Sequence, residues 1–337
     1  MNIYDISEKA GVSIATVSRV INGNAKVSEK TRQKILAIIE ETGYTPNAFA
    51  RGLGLNTMKT IGILCADCSD SYLASAIYHF ERELRSHDYD VILCCTGYEQ
   101  ATKEKYLNLL MSKHVDAVIL AGSNFIATGT APGANDYIRD AAQEIPVIIL
   151  NGFVDLPGVY CVLSDDMESV YNVTKTLLSQ GATGPLFLSR SDSYSGLQKK
   201  SGFIRALKEC GIKDGEKRVL STPGSMEENT ALLLKKASAG LKVDAVICSD
   251  DELAVSALKF AKQMKLSIPD EISIVGFNNS KLSLCCEPEL TTIDNRLAYA
   301  CASAVDLLMK VLNGEDVPGK LLISSNLVTR GTTKANS

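Results

Sequence analysis

The sequence predicts an α/β core of two similar lobes, each built on a parallel sheet, preceded by a small all-helical head. Three observations lead there. The first 45 residues carry three short helical patterns with capping residues at their ends. Beyond residue 60 the pattern changes to short apolar runs that recur roughly every 25–30 residues, the length of a βα unit. Those runs fall into two successive sets.

In the head, Asn2 opens the first helix with Asp5 three residues on, as in a capping box, and Gly11 closes it. The second helix lies in GVSIATVSRVING, capped by Ser13 and stopped at Gly23. Val17, Val20 and Ile21 fall at i, i+3 and i+4 and make one narrow apolar stripe; Ile14, Ala15, Ser18, Arg19 and Asn22 take the other face. Ser28 caps a third helix that gathers Ile35, Ile38, Ile39 and Thr42 on one side and ends at Gly43. Two short helices joined by a glycine turn, with a third to pack on, form a helix-turn-helix, whose second helix enters the DNA major groove. Hydroxyls near that helix start (Ser13, Thr16, Ser18) suit phosphates, and Arg19 suits a guanine edge or a phosphate. Ile14 and Ala15 suit thymine methyl groups, with packing on another helix as the competing reading. Charge agrees: residues 1–59 hold eight basic and five acidic side chains, whereas the rest holds 27 and 34. A positive head on an acidic body points to a polyanionic partner.

The segment TPNAFARGLGLNTMK, with Pro46 starting a short helix, reads as a hinge. After it come IGILCA, DVILCC, DAVILA and PVIILN, then VYCVLS, PLFLS, DAVICSD and ISIVGF. Continuous runs of this kind are strands buried on both faces of a parallel sheet, and ligands bind such sheets at strand carboxyl ends. The ten cysteines lie mostly inside apolar runs and read as buried thiols. Cys65 and Cys68 have C-x-x-C spacing, but a second pair and a nearby histidine are missing, so no metal or redox site is expected. No G-x-G-x-x-G follows the first strand, GSNFIATGT lacks Walker spacing, and the three histidines are scattered. The adjacent carboxylates Asp165–Asp166 and Asp250–Asp251 point in different directions and make poor catalytic pairs. An enzyme is therefore not expected, and no cofactor is.

The run from YDISEKAG to ARGL resembles the DNA-binding head of the lac repressor (LacI/GalR) family. TIGIL, SDDELAVSAL, IPDEISIVGFN and PELTTID resemble that family's periplasmic-binding-protein-like core, and together the matches span Tyr4 to Arg330. The resemblance implies a head over 1–45, a hinge helix and linker over 46–59, an effector-binding and dimerisation core over 60–331, and a tail over 332–337. The first lobe would take about 60–157 plus 294–323, and the second about 158–290 plus 324–331. The resemblance also implies DNA contacts from Asn47, Ala50 and Arg51, with Leu53 wedged into the minor groove. Gly54 and Leu55 depart from the family's alanine and small polar residue, and a glycine costs a helix about 0.8–1.0 kcal/mol relative to alanine, so the hinge helix is expected to fold less readily, which leaves the tightness of DNA binding open.

Effector contacts would come from Asp70, Tyr72, Ser123 and Asn151 on the first lobe and from Ser193, Lys199, Asp250 and Asn278 on the second. Lys199 and Asn278 stand where the family commonly has arginine and aspartate, and an ammonium cannot form the guanidinium's fork. A neutral sugar is expected, with a phosphorylated or acidic sugar as the alternative. The function implied is that of a cytoplasmic repressor of carbohydrate-related genes, binding a near-palindromic double-stranded operator as a homodimer. Its dimer contacts would come from Ala76, Ile77 and Phe80, from Leu253, Leu258 and Phe260, and from Ser280 to Cys286. The rival is a periplasmic solute-binding protein, against which stand the head and an N-terminus, MNIYDISEKAG, without signal-peptide character.

Overall fold

The computed structural model describes residues 2–21, 27–44, 57–129 and 133–334. The head folds as α1 (Ile3–Ala10), α2 (Ile14–Ile21) and α3 (Glu29–Thr42). The Asn2 side chain accepts from the N–H groups of Tyr4 and Asp5, and the Asp5 carboxylate accepts from the Asn2 N–H, completing the capping box. Gly11 and Gly43 end their helices at φ 67° and 59°, a left-handed conformation that strains any side chain. Ser13 and Ser28 each accept from the N–H three residues on. Ile6, Ala10, Val17, Val20 and Ile35 bury one another, and Lys34 Nζ donates to the Ala10 carbonyl at 2.9 Å, tying α3 to the end of α1. The expected stop at Gly23 and the hinge over 46–56 lie outside the described residues.

Two six-stranded sheets make the core. The first holds β1 (Thr60–Cys65), β2 (Asp90–Cys95), β3 (Ala117–Ala121), β4 (Val147–Leu150), β5 (Val159–Ser164) and β11 (Lys320–Ile323), all parallel in the order β11-β5-β4-β3-β1-β2. The second holds β6 (Pro185–Ser189), β7 (Val219–Ser221), β8 (Ala245–Cys248), β9 (Ser273–Phe277), β10 (Thr291–Asp294) and β12 (Asn326–Val328), in the order β12-β10-β9-β8-β6-β7. Among the described residues only β12 runs antiparallel to its neighbour.

Helices cover both faces of the central strands, which is why those strands read as unbroken apolar runs. DVILCC departs from the expected two-sided burial, because β2 is an edge strand and leaves Ile92 and Leu93 exposed. On the first, α4 (Ser71–Ser86) and α12 (Leu297–Leu312) bury Ala76, Phe80, Ala300 and Leu308 against Ile61, Ile63 and Ile119. On its other face α5 (Gln100–Ser112) and α6 (Asp136–Ala142) add Leu107, Leu110 and Ile138. In the second lobe α7 (Asp166–Ser179) and α8 (Tyr194–Glu209) cover one face, and α9 (Met226–Ser238) and α10 (Asp251–Met264) the other. Each fully buried Leu, Ile or Phe contributes about 1.5–3 kcal/mol, so these layers carry the fold. A short helix, α11 (Lys281–Leu284), follows β9.

The chain passes between lobes three times, near residues 165, 295 and 325, and the passages are bonded. Asp165 Oδ1 accepts from Ser325 N and Oγ at 2.9 and 2.7 Å, and Asn295 Nδ2 donates to Asn278 Oδ1 at 3.0 Å. Several expectations are corrected here. The strand VYCVLS, expected in the second lobe, is β5 and pairs with β4, so the first lobe runs past 158 to residue 164. Its two neighbours in the sheet, β4 and β11, leave it no free edge with which to join the other lobe. The core extends past the expected boundary at 331: Thr332 is fully buried, and its hydroxyl donates to the Ile274 carbonyl and accepts from Thr291 N–H. Ala76, Phe80, Leu253 and Phe260 are buried in their own lobes and cannot form an outer contact face, because their helices turn them onto the sheets. Cys68 is not a free thiol: its sulfur is bonded to Cys95 on β2, whereas Cys210 and Cys285 are exposed. Among the described residues no helix is long and apolar enough to cross a membrane, and no group of three or more His, Cys, Asp or Glu side chains could hold a metal ion.

Candidate nucleic-acid interface and ligand cleft

Helix α2 turns Val17 and Val20 inward, which leaves Ser13, Ile14, Ala15 and Arg19 exposed and Thr16 and Ser18 half-buried at the flanks. Ile14 and Ala15 therefore reach the surface, and neither belongs to the head's buried cluster. Ser13 Oγ and Thr16 Oγ1 lie 3.0 Å apart at the helix start, where backbone N–H groups also point outward. Such a start, with two hydroxyls and one arginine beside two small apolar side chains, suits a phosphate backbone and groove edges. Asn22, Asn47, Ala50, Arg51 and Leu53 lie outside the described residues, as do Gly54 and Leu55.

The second site follows from topology. In the first sheet β1 lies between β2 and β3, and in the second β6 lies between β7 and β8. The loops after β1 and β6 thus leave their sheets where strand order reverses, the place where α/β folds open a crevice. Between the lobes these loops line a cavity of about 480 Å³. All eight side chains expected there from the sequence line it. Asp70 caps α4, its Oδ1 accepting from Leu73 N–H at 2.9 Å. Tyr72 accepts through its hydroxyl from Asn151 Nδ2, and burial pushes its phenol well above the ordinary value. Ser123 opens a single 3-10 turn that Lys103 Nζ fixes by donating to the Asn124 carbonyl at 2.6 Å. From the other lobe, Ser193 caps α8, Asp250 caps α10, and Asn278 follows β9 at φ 96°.

Lys199 is nearly buried. Its Nζ donates to the Ser249 carbonyl at 3.0 Å and sits 3.6 Å from the centre of the Phe277 ring. Burial draws its pKa down, and the charge of Asp166 is the largest opposing influence. Asp166 is itself buried behind the cleft, where Ser195 Oγ donates to it. Burial raises its carboxyl above the ordinary range, while Lys199 and Ser195 pull it back.

Sequence reasoning missed Arg190. It directly follows β6, and its guanidinium holds Asp250 with two bonds, Nε to Oδ2 at 2.9 Å and Nη2 to Oδ1 at 3.1 Å. Nη2 also reaches Glu252 at 2.9 Å. Burial lowers the Arg190 pKa, but the bonds and charge of Asp250 more than offset this and hold it above the ordinary value. Asp250 thus spends its oxygens on Arg190, Ser249 Oγ and the Leu253 N–H. A ligand on this wall meets Arg190 as readily as Asp250. The signal was its position, immediately after the strand at the reversal point. Asp67 and Tyr98 also line the cavity and were missed.

The chain matches two family models. Residues 2–47 match bacterial regulatory proteins of the lacI family, and residues 58–331 match periplasmic binding proteins and the sugar binding domain of the LacI family. It is 52% identical over 333 residues to an HTH-type transcriptional regulator of Lachnoclostridium phytofermentans, covering 99% of each chain. Its fold is similar to that of the lac repressor dimer bound to operator and the anti-inducer ONPF, with a TM-score of 0.88 at 22% identity over 99% of each chain. It is also similar to a complex of the transcriptional regulator CelR with cellobiose, with a TM-score of 0.70 at 21% identity over 98% of this chain and 99% of that one.

Proposed function

The chain belongs to the LacI family and is a DNA-binding transcription regulator, not an enzyme, and from that premise we propose that it is a repressor whose grip on its operator is set by a neutral sugar bound between the lobes. The observation that carries the ligand reading is the cavity lined by Asp70, Tyr72 and Asn151 from one lobe and Arg190, Ser193 and Asn278 from the other. A ligand that bridges both walls biases their closure, and closure is what a regulator of this build can pass to its head. Its polar lining with two tyrosines suits a polyol with one apolar face.

The charge balance favours a neutral ligand over a phosphorylated or acidic one. Asp67, Asp70 and Asp250 line the cavity against Arg190 and Lys199. Both cations are already engaged, Arg190 with Asp250 and Lys199 with the Ser249 carbonyl. With three carboxylates to two cations along the lining, an added anion would meet net negative charge. The CelR relative's cellobiose supplies a first compound to try.

Helix α2 is eight residues long, and one such module buries too little surface for strong specificity, so we infer a homodimer reading a near-palindrome. With Ala76 and Phe80 buried, the exposed apolar side chains on the expected segments are Tyr78 on α4, Met264 on α10, and Leu282 and Leu284 on α11. Such a regulator works in the cytoplasm.

The experiment selects an operator from random duplexes with the full-length protein, then measures operator affinity and thermal stability against a panel of sugars. A neutral sugar at 100 times its dissociation constant should add about 2.7 kcal/mol of stability and change operator affinity. A response to sugar phosphates alone would overturn the neutral reading. Light scattering that gives one chain of 36.3 kDa would overturn the dimer.

A further inference from the structure

Two loops build the first lobe's wall of the cleft. The loop after β1 carries Asp67 and Asp70, and the loop after β2 carries Tyr98. Cys68 stands in the first loop and Cys95 ends β2, and their sulfurs are bonded with Cα atoms 6.5 Å apart, within the reach a disulfide requires. Parallel pairing sets Cys65 opposite Cys95, and the N–H groups of Thr96 and Gly97 donate to the Cys65 and Ala66 carbonyls at 2.8 and 2.9 Å. The backbone therefore holds the two loops side by side before any sulfur bond forms. Cys95 is exposed and Cys68 half-buried, whereas Cys65, Cys94, Cys161, Cys248 and Cys301 are buried. An accessible pair in a regulator of this kind has the character of a labile bond, because exposed disulfides exchange with small thiols and shielded ones do not.

We propose that Cys68 and Cys95 are a reversible thiol-oxidation site through which a low-molecular-weight disulfide stiffens the cleft wall that meets the effector. Its chemistry stands alone; its consequence for the effector rests on the reading of the cleft given above. The step is thiol–disulfide exchange. The thiolate of Cys95, the more exposed, attacks one sulfur of the small disulfide, forms a mixed disulfide and releases one small thiolate. The thiolate of Cys68 then attacks Cys95 Sγ, forms the internal bond and releases the second. Two protein thiols are oxidised, one small disulfide is reduced to two thiols, and those take up the two protons. The bond ties together positions 27 residues apart, so Asp67, Asp70 and Tyr98 lose independent movement.

The test takes full-length protein reduced with dithiothreitol, desalts it and exposes it to glutathione disulfide. After acid quenching and alkylation, peptide mass spectrometry should find Cys68 linked to Cys95, and the link should vanish on renewed reduction. Amide hydrogen exchange at residues 66–70 and 96–98 should slow several-fold in the oxidised protein. Cys68→Ser should exchange like the reduced protein under both conditions; Cys95→Ala serves if that variant does not fold, and the wild-type comparison needs neither. Glutathione held on Cys95 without an internal link, or a link that leaves exchange unchanged, overturns the proposal. If link and exchange behave as expected but no sugar binds in either state, the effector reading falls and the oxidation site stands.

Discussion

Replacing Gly276 with alanine should unseat the floor of the second lobe's cleft wall. A methyl group built there would lie 2.2 Å from Asp251 Oδ1 and 2.9 Å from Leu290 Cδ2, so the carboxylate must shift. It has nowhere to go. Asp251 is 2% exposed, and it accepts from Thr292 Oγ1 and from Ser280 N–H, both at 2.6 Å. Burial already raises its carboxyl above the ordinary range, with those bonds opposing. Overpacking costs about 1–3 kcal/mol, and a lost hydrogen bond to a charged group costs about 1.5–3 kcal/mol. If the methyl breaks the Thr292 bond alone, the two add to about 2.5–6 kcal/mol. At about 2–4 °C for each kcal/mol, the second lobe's melting transition should fall by roughly 10 °C. Urea denaturation and calorimetry read both quantities. Thr292→Val removes the donor without crowding and isolates the hydrogen-bond share, so it should cost less. A Gly276→Ala protein within about 1 kcal/mol of the parent, or more stable than Thr292→Val, would refute the reasoning.

Arg19→Ala should weaken binding to a selected operator by about 1–3 kcal/mol, and unchanged affinity in a mobility-shift titration would remove Arg19 from the readout face. For Arg190 and Asp250, whose side chains are 32% and 18% exposed, a double-mutant cycle with Arg190→Ala and Asp250→Asn should give a coupling of about 1–2 kcal/mol in denaturant melts. A coupling indistinguishable from zero would contradict the two-bond geometry. Asp166 supplies a pH test. Its folded carboxyl holds a proton more tightly than the unfolded chain's, so its contribution to stability falls as pH climbs from the ordinary 3.8 through the folded value. Asp166→Asn should flatten that part of the stability profile, and a steeper fall than the parent's would count against a raised carboxyl.

Much of this molecule is legible in its sequence because the burial of most strands is written in continuous apolar residues, although DVILCC, an equally apolar run, lies on an exposed edge. All eight apolar runs became strands, and the capping side chains marked where the head's helices begin. The eight expected cleft residues converge because strand ends are fixed by topology once the parallel order is known. What stayed hidden depended on contacts between distant segments. The strands β7, β10, β11 and β12 are three or four residues long, with too few side chains to show a period. β5 looks like any buried strand, and nothing local tells which of two sheets will take it. Arg190 reads as an ordinary exposed arginine until Asp250, 60 residues on, is beside it. Likewise Cys68 has a nearer cysteine in Cys65, yet pairs with one 27 residues away.

The three passages between lobes have a consequence for synthesis. The first lobe's sheet is completed by β11, and its apolar layer by α12, so Ile61, Phe80 and their neighbours stay half covered until residue 323 has been made. From the end of β5 a ribosome adding about 5–20 residues per second needs roughly 8–30 s to reach that point. The head has its own apolar core, built from residues 3–44, and needs nothing that comes later. A nascent chain therefore carries a finished DNA-binding end on an unfinished sensor. Holding that open layer away from its neighbours on a polysome is a task for chaperones, and its burden grows with every pause between residues 165 and 323.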